Sequence, residues 1–102
     1  MFGTIGHARL KPGALAALEA LDAEWIRDIR PTIPGSVARV LGHAADDPDA
    51  LVFVALMQDE ATYRQLAENP AQDAWYRRFA ELVEGDIRWE DIADARLDTD
   101  PA

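Results

Sequence analysis

Seven consecutive apolar residues, Leu51-Val-Phe-Val-Ala-Leu-Met57, constrain the fold of this chain more than any other stretch. Asp46-Asp-Pro-Asp49 precedes the run and Gln58-Asp59 follows it, which suits the length of a strand. Successive strand residues point to opposite faces of a sheet. A run without alternation therefore predicts a strand covered on both faces. In a single domain of 102 residues the core is modest, and helices can cover only one face. Something else must cover the other.

The other periodicities place the run in context. Phe2 to Leu10 reads as a strand with Phe2, Thr4, Gly6, Ala8 and Leu10 on one side and Gly3, Ile5, His7 and Arg9 on the other. Pro12-Gly13 ends it, and Pro12 suits the first turn of a helix. Leu15, Leu18, Leu21, Trp25 and Ile29 then recur at helical spacing, giving one apolar stripe that ends near Arg30, before Pro31 and Pro34. Glu19, Asp22, Arg27 and Asp28 fall mostly off that stripe. Ser36 to Ala44 is a second strand, with Val37, Arg39, Leu41 and His43 sharing a face. Ala45 to Ala50 has the composition of a turn, so this strand and the apolar run form a hairpin.

A two-part helix follows, over about Glu60 to Glu84. Asp59 is its expected N-cap. Asn69-Pro70 interrupts it: Asn69 reads as a fresh cap, Pro70 as the first helical position, and Gln72 as the reciprocal capping-box partner. Tyr63, Leu66, Trp75, Phe79, Leu82 and Val83 form its apolar side, and Gly85 is the expected C-cap. Ile87 to Ile92 is the last strand. Residues 1–93 read as a single domain, and the acidic residues 94–102, with their terminal proline, as a loose tail.

The order βαββαβ predicts an α+β, ferredoxin-like sandwich, a four-stranded antiparallel sheet with two helices on one face. The first and third strands are central in that topology. The uncovered apolar face is then met most simply by a second copy, in a homodimer paired through sheet faces.

Charge and composition exclude several functions. A net charge of −9 opposes phosphate backbones and anionic lipid, so neither nucleic acid nor a membrane is an expected partner. No apolar run approaches the roughly 20 residues of a membrane helix, and no leader-like N-terminal pattern is present; a cytoplasmic protein is expected. The chain has no cysteine, so thiolate chemistry is excluded. Ser36, the only serine, lacks nucleophile-elbow glycines, and Lys11, the only lysine, sits at a strand end. The histidines, His7 and His43, lack metal-ligand spacing, and Asp46-Asp-Pro-Asp49 lacks the glycine and distal glutamate of an EF-hand loop. No metal or cofactor is expected.

The candidate site lies around the second helix. Trp75 and Phe79 read either as core residues on a helical stripe or as walls of an apolar pocket against the sheet. Tyr76, beside Trp75, falls at the edge of the stripe, where its hydroxyl could meet a phenol or keto oxygen. His7 reads as a pocket acid or base near neutral pH, or as a half-buried strand residue. His43, at a strand end, reads as solvated. Arg77 and Arg78 read as solvent-facing, paired at helical spacing with Asp73, Glu81 or Glu84. Trp89 reads as core or as part of a dimer seam.

Three segments carry a resemblance to a known family: Gly3-Thr-Ile-Gly-His-Ala-Arg-Leu-Lys-Pro-Gly13, Ile33-Pro-Gly35, and Leu51 through Gln72. The chain resembles the dimeric α+β barrel proteins, and among them the antibiotic biosynthesis monooxygenase-like family. Many members carry histidine where this chain has Gln72, and no histidine lies between Gln58 and Glu84, so the haem-degrading branch is not matched. The resemblance implies either a cofactor-independent monooxygenase, in which a deprotonated aromatic or polyketide-like phenol reduces O₂ directly, or a non-catalytic or stress-related barrel with the same pocket. It implies substrate-binding roles for Tyr63, Asn69 and Trp75, to which the helical stripe adds Phe79 as a pocket wall. It implies catalytic roles in binding the phenolate and stabilising charge for Tyr76, Arg88 and His7.

Overall fold

A computed structural model describes residues 1–100. The chain runs β1 (Phe2–Leu10), α1 (Leu15–Asp28), a 3₁₀ turn (Arg30–Thr32), β2 (Val37–Ala44), β3 (Asp47–Met57), α2 (Glu60–Ala67), α3 (Pro70–Ala80) and β4 (Val83–Ile92). The strands form one antiparallel sheet in the order β2-β3-β1-β4, so the apolar run occupies a central strand. Among the described residues no helix is long and apolar enough to cross a membrane.

Cross-strand register assigns the paired strand residues to the two faces of the sheet. On the helix-facing side stand Arg39, Ala55, Thr4 and Asp91 in one row and Leu41, Phe53, Gly6 and Trp89 in the next. The opposite face carries the rows Ala38-Leu56-Gly3-Ile92, Val40-Val54-Ile5-Glu90 and Gly42-Val52-His7-Arg88. Leu51, Leu56 and Met57 are buried, while Val52 to Ala55 are half-buried in the single chain. Val40, on the edge strand β2 of the open face, is 62% exposed.

Leu10, Leu18, Leu21, Leu51, Phe79 and Val83 form the core, where α1 and α3 close on the sheet. Two of the expected caps hold α2 and α3 in place. Asp59 accepts the Thr62 N–H at 2.8 Å, and Asn69 accepts the Ala71 N–H at 2.9 Å with Pro70 entering the first turn.

Several local expectations are corrected. Pro12 precedes α1 rather than opening it, and Leu15, the first member of the expected stripe, begins the helix and is 56% exposed. The hairpin turn is only Ala45-Asp46. Asp47 to Ala50 extend β3 instead, and a bulge lets His43 face Leu51 while Ala44 faces Asp47. The second helix stops at Ala80 rather than near Glu84; Val83, expected on the helix, starts β4 as a buried strand residue. Gly85 does have a positive φ of 67°, but within β4, at the register shift opposite His7 and Arg9, and not at a helix end. The peptide of Ala95 exchanges two hydrogen bonds with Met1, each of 2.8 Å, so the start of the acidic segment is tied to β1. Residues 101–102 of the expected tail, with its proline, lie outside the described residues.

Candidate functional site

Small residues on β1 leave room for large ones under the helices. A side chain at Gly6 would come within 2.1 Å of the Phe53 ring, so the glycine lets that ring lie over β1. Phe53 in turn meets Phe79 of α3 edge-on at 5.4 Å and Trp89 of β4 at 5.3 Å between centroids. Trp75 and Phe79, one helical turn apart, stack at 5.7 Å with planes only 4° apart. Tyr76 leans on Trp89 at 5.9 Å. These rings, with Trp25, Tyr63, Met57 and Leu66, line a cavity of about 140 Å³ between the helices and the sheet.

Its polar rim is held by hydrogen bonds that cross between elements. Trp25, 3% exposed, donates its indole N–H to Gln72 Oε1 at 2.8 Å, joining α1 to α3. This contact overturns the expected capping-box role of Gln72: its side chain turns to α1 instead of back to Asn69. Trp75 donates its indole N–H to the Leu21 carbonyl at 2.8 Å. Arg39 reaches from β2 to the Asp22 carboxylate on α1, with its guanidinium 4.2 Å from the Trp25 ring centre. Tyr63 packs edge-on against Phe2 and donates to Asp91 at 3.4 Å. Burial, and then the neighbouring Asp91 charge, raise the Tyr63 phenol above its usual pKa, so it is a donor and not a base near neutrality.

The structure therefore brings Tyr63, Trp75, Tyr76 and Phe79 around one cavity. It separates the others from them. His7 and Arg88 are cross-strand partners on the opposite face of the sheet. Asn69 caps α3 and lines a smaller depression with Thr32 and Leu66. His43 is exposed and bonds the Ala44 carbonyl. Arg77 pairs with Asp73 as expected, but Arg78 pairs with Glu24 of α1 at 2.6 Å rather than within its own helix. Asp47 is engaged by Arg9 at 2.7 Å, and among the described residues no three metal-ligating side chains form a group.

Sequence reasoning missed Asp22 and Arg39. The signal was present: Leu18, Asp22, Trp25 and Ile29 recur at four, three and four, which puts Asp22 on the buried side of α1. Arg39 shares its strand face with Val37 and Leu41.

No protein-family model matches the sequence, and no curated protein matches it significantly. Solved structures share its fold. A Nitrosomonas europaea protein described as a candidate antibiotic biosynthesis monooxygenase superposes with a TM-score of 0.74 at 17% identity, over 94% of this chain and 100% of its own. A structure named as an antibiotic biosynthesis monooxygenase gives 0.75 at 19% identity, over 94% and 100%. Rv0793 from Mycobacterium tuberculosis gives 0.76 at 19% identity, over 96% and 98%. At these identities the likeness is one of fold: the chain has the same ferredoxin-like α+β architecture as these structures.

Proposed function

From that shared fold and the aromatic cavity, we propose that this protein binds a small planar aromatic molecule beneath its helices and oxidises it as a cofactor-independent monooxygenase. The observation that carries the reading is the box formed by Trp75, Phe79, Phe53, Trp89 and Tyr76. Its volume of about 140 Å³ is close to the ~150 Å³ cavity known to admit a benzene ring, and because it is partly open to solvent a larger ring system can extend out of it. Ring faces and edges on several sides suit a flat ligand.

In the reaction proposed, a phenolate gives electrons to O₂. One oxygen atom is retained on the ring and the other leaves as water, so phenol plus O₂ gives quinone plus water with no external reductant. Tyr76 would donate to the phenolate oxygen, and Tyr63, Trp75 and Phe79 would hold the ring and exclude water. Under air, a dihydroxynaphthalene should be consumed with one O₂ per quinone formed, at a rate lost in Trp75→Ala and reduced in Tyr76→Phe. Uptake no faster than autoxidation would remove the catalytic reading.

One placement favours the second reading, a binding protein without turnover. Both histidines lie outside the cavity, so its wall lacks an imidazole, the group best suited to take a phenol proton near neutral pH. Saturable binding of the same compound without O₂ uptake would establish it.

A second copy of the chain is the proposed cover for the open face, where Val40, Val54 and Ile5 form an apolar row. Sedimentation at micromolar concentration should give twice the chain mass, and Val40→Glu with Val54→Lys should give the monomer.

A further inference from the structure

The Arg39–Asp22 pair differs from the other ion pairs of the chain in where it stands. Its side chains are only 21% and 23% exposed, whereas among the described residues at least one partner in each other pair is more than half exposed, as is Arg9 at 51%. Asp22, Arg39 and Leu41 line the aromatic cavity and also an outer depression shared with Ile26 and Arg30. The ion pair thus forms the partition between the cavity and the open surface of α1 and β2.

Apart from the Asp22 carboxylate, which Arg39 engages, the polar side chains at the cavity wall can donate. Gln72 Oε1 already accepts from Trp25, and the Leu21 carbonyl already accepts from Trp75. The Gln72 amide N–H groups, the Tyr76 hydroxyl and the rest of the Arg39 fork remain. A guanidinium carries five N–H donors, and Asp22 is reached through one nitrogen. The Trp25 ring centre lies 4.2 Å from the Arg39 guanidinium carbon, and the ring supports it from one side.

We propose that Arg39 is the anchor that makes the cavity selective for aromatic acids and phenolates, with Asp22 as the internal anion that such a ligand displaces. This rests on the reading of the cavity as an aromatic site and adds the charge of its ligand. The ring occupies the aromatic box, and its ionised oxygen takes the bidentate position on Arg39. Asp22 holds the guanidinium in place while the cavity is empty, and its negative charge works against the incoming anion. The two residues therefore act on affinity with opposite signs.

Calorimetric titration with naphthoate and its neutral isostere naphthamide tests this. The wild-type protein should bind naphthoate about tenfold or more tightly than naphthamide, as charge-assisted bonds imply. Arg39→Met should abolish that preference, bringing naphthoate down to the affinity of naphthamide, and Arg39→Lys should keep part of it. Asp22→Asn should tighten naphthoate and not naphthamide. A merely structural pair would lose affinity for both ligands in both variants, and thermal melting identifies any variant that fails to fold. Equal affinity of the two ligands in the wild type overturns the role of Arg39 while the aromatic cavity stands. Failure of both ligands to bind overturns the cavity reading and this inference with it.

Discussion

Trp25 of α1 and Gln72 of α3 are joined by a hydrogen bond of 2.8 Å from the indole N–H to the amide oxygen, across the roof of the aromatic cavity. A buried donor without a partner costs about 1–3 kcal/mol, more than a typical hydrogen bond contributes net. Gln72→Leu should therefore lower unfolding stability by roughly that amount. Gln72→Glu, which keeps an acceptor, should lose less. The urea midpoint at unchanged m-value reads both.

The Phe53 ring occupies the space that a Gly6 side chain would fill. Gly6→Ala should push the ring toward the cavity, costing about 1–3 kcal/mol as overpacking does. Ligand affinity should fall with it. At Gly3 the nearest atom to an added Cβ is the Ala55 carbonyl oxygen, at 1.8 Å, which is backbone and cannot turn away. Gly3→Ala should be the more destabilising of the two, although it lies on the face without helices. Denaturant curves of both variants, with a binding titration of Gly6→Ala, check the pair.

Asn69 is a cap and sits outside the aromatic box. Asn69→Ala should cost about 1 kcal/mol of stability, and Asn69→Asp or Asn69→Ser little. Affinity for an aromatic acid should be the same in all three. A loss of binding without a loss of stability would give Asn69 the substrate role that the family resemblance implies.

Burial raises the Tyr63 phenol, with the Asp91 charge adding to it, so the folded protein holds that proton to higher pH than the unfolded chain does. In the interval between the two values the folded state binds more protons. Stability should therefore fall as pH rises from the ordinary tyrosine range through the folded value. Tyr63→Phe should flatten that alkaline decline. Unfolding stability against pH in both proteins, with the phenolate absorbance as the direct titration, measures it.

The sheet, its order and its two faces were legible because strand alternation and the single unalternating run leave few arrangements. Asp59 and Asn69 were legible as caps because their chemistry is local. The chain-length positions of turns were not. Asp47 to Ala50 have turn composition, yet the bulge beside Ala44 keeps them in the strand. Gly85 announced a left-handed residue without saying whether a helix end or a strand bulge needed it. The candidate site was half legible. Helical spacing named Trp75 and Phe79, but His7 and Arg88 were grouped with them by residue type, and alternation sends both to the far face. Gln72 could not be read from its neighbourhood in sequence, because its partner Trp25 lies 47 residues away.

All three tryptophans of the chain, Trp25, Trp75 and Trp89, stand at the wall of the aromatic cavity. Their indole N–H resonances in a nitrogen–proton correlation spectrum therefore report on it directly. Titration with hydroxynaphthoate should move all three together, in a saturable way, and leave the backbone amides of His7, Val52 and Arg88 in place. Shifts confined to those amides of the open face, with the indoles unmoved, would contradict the account.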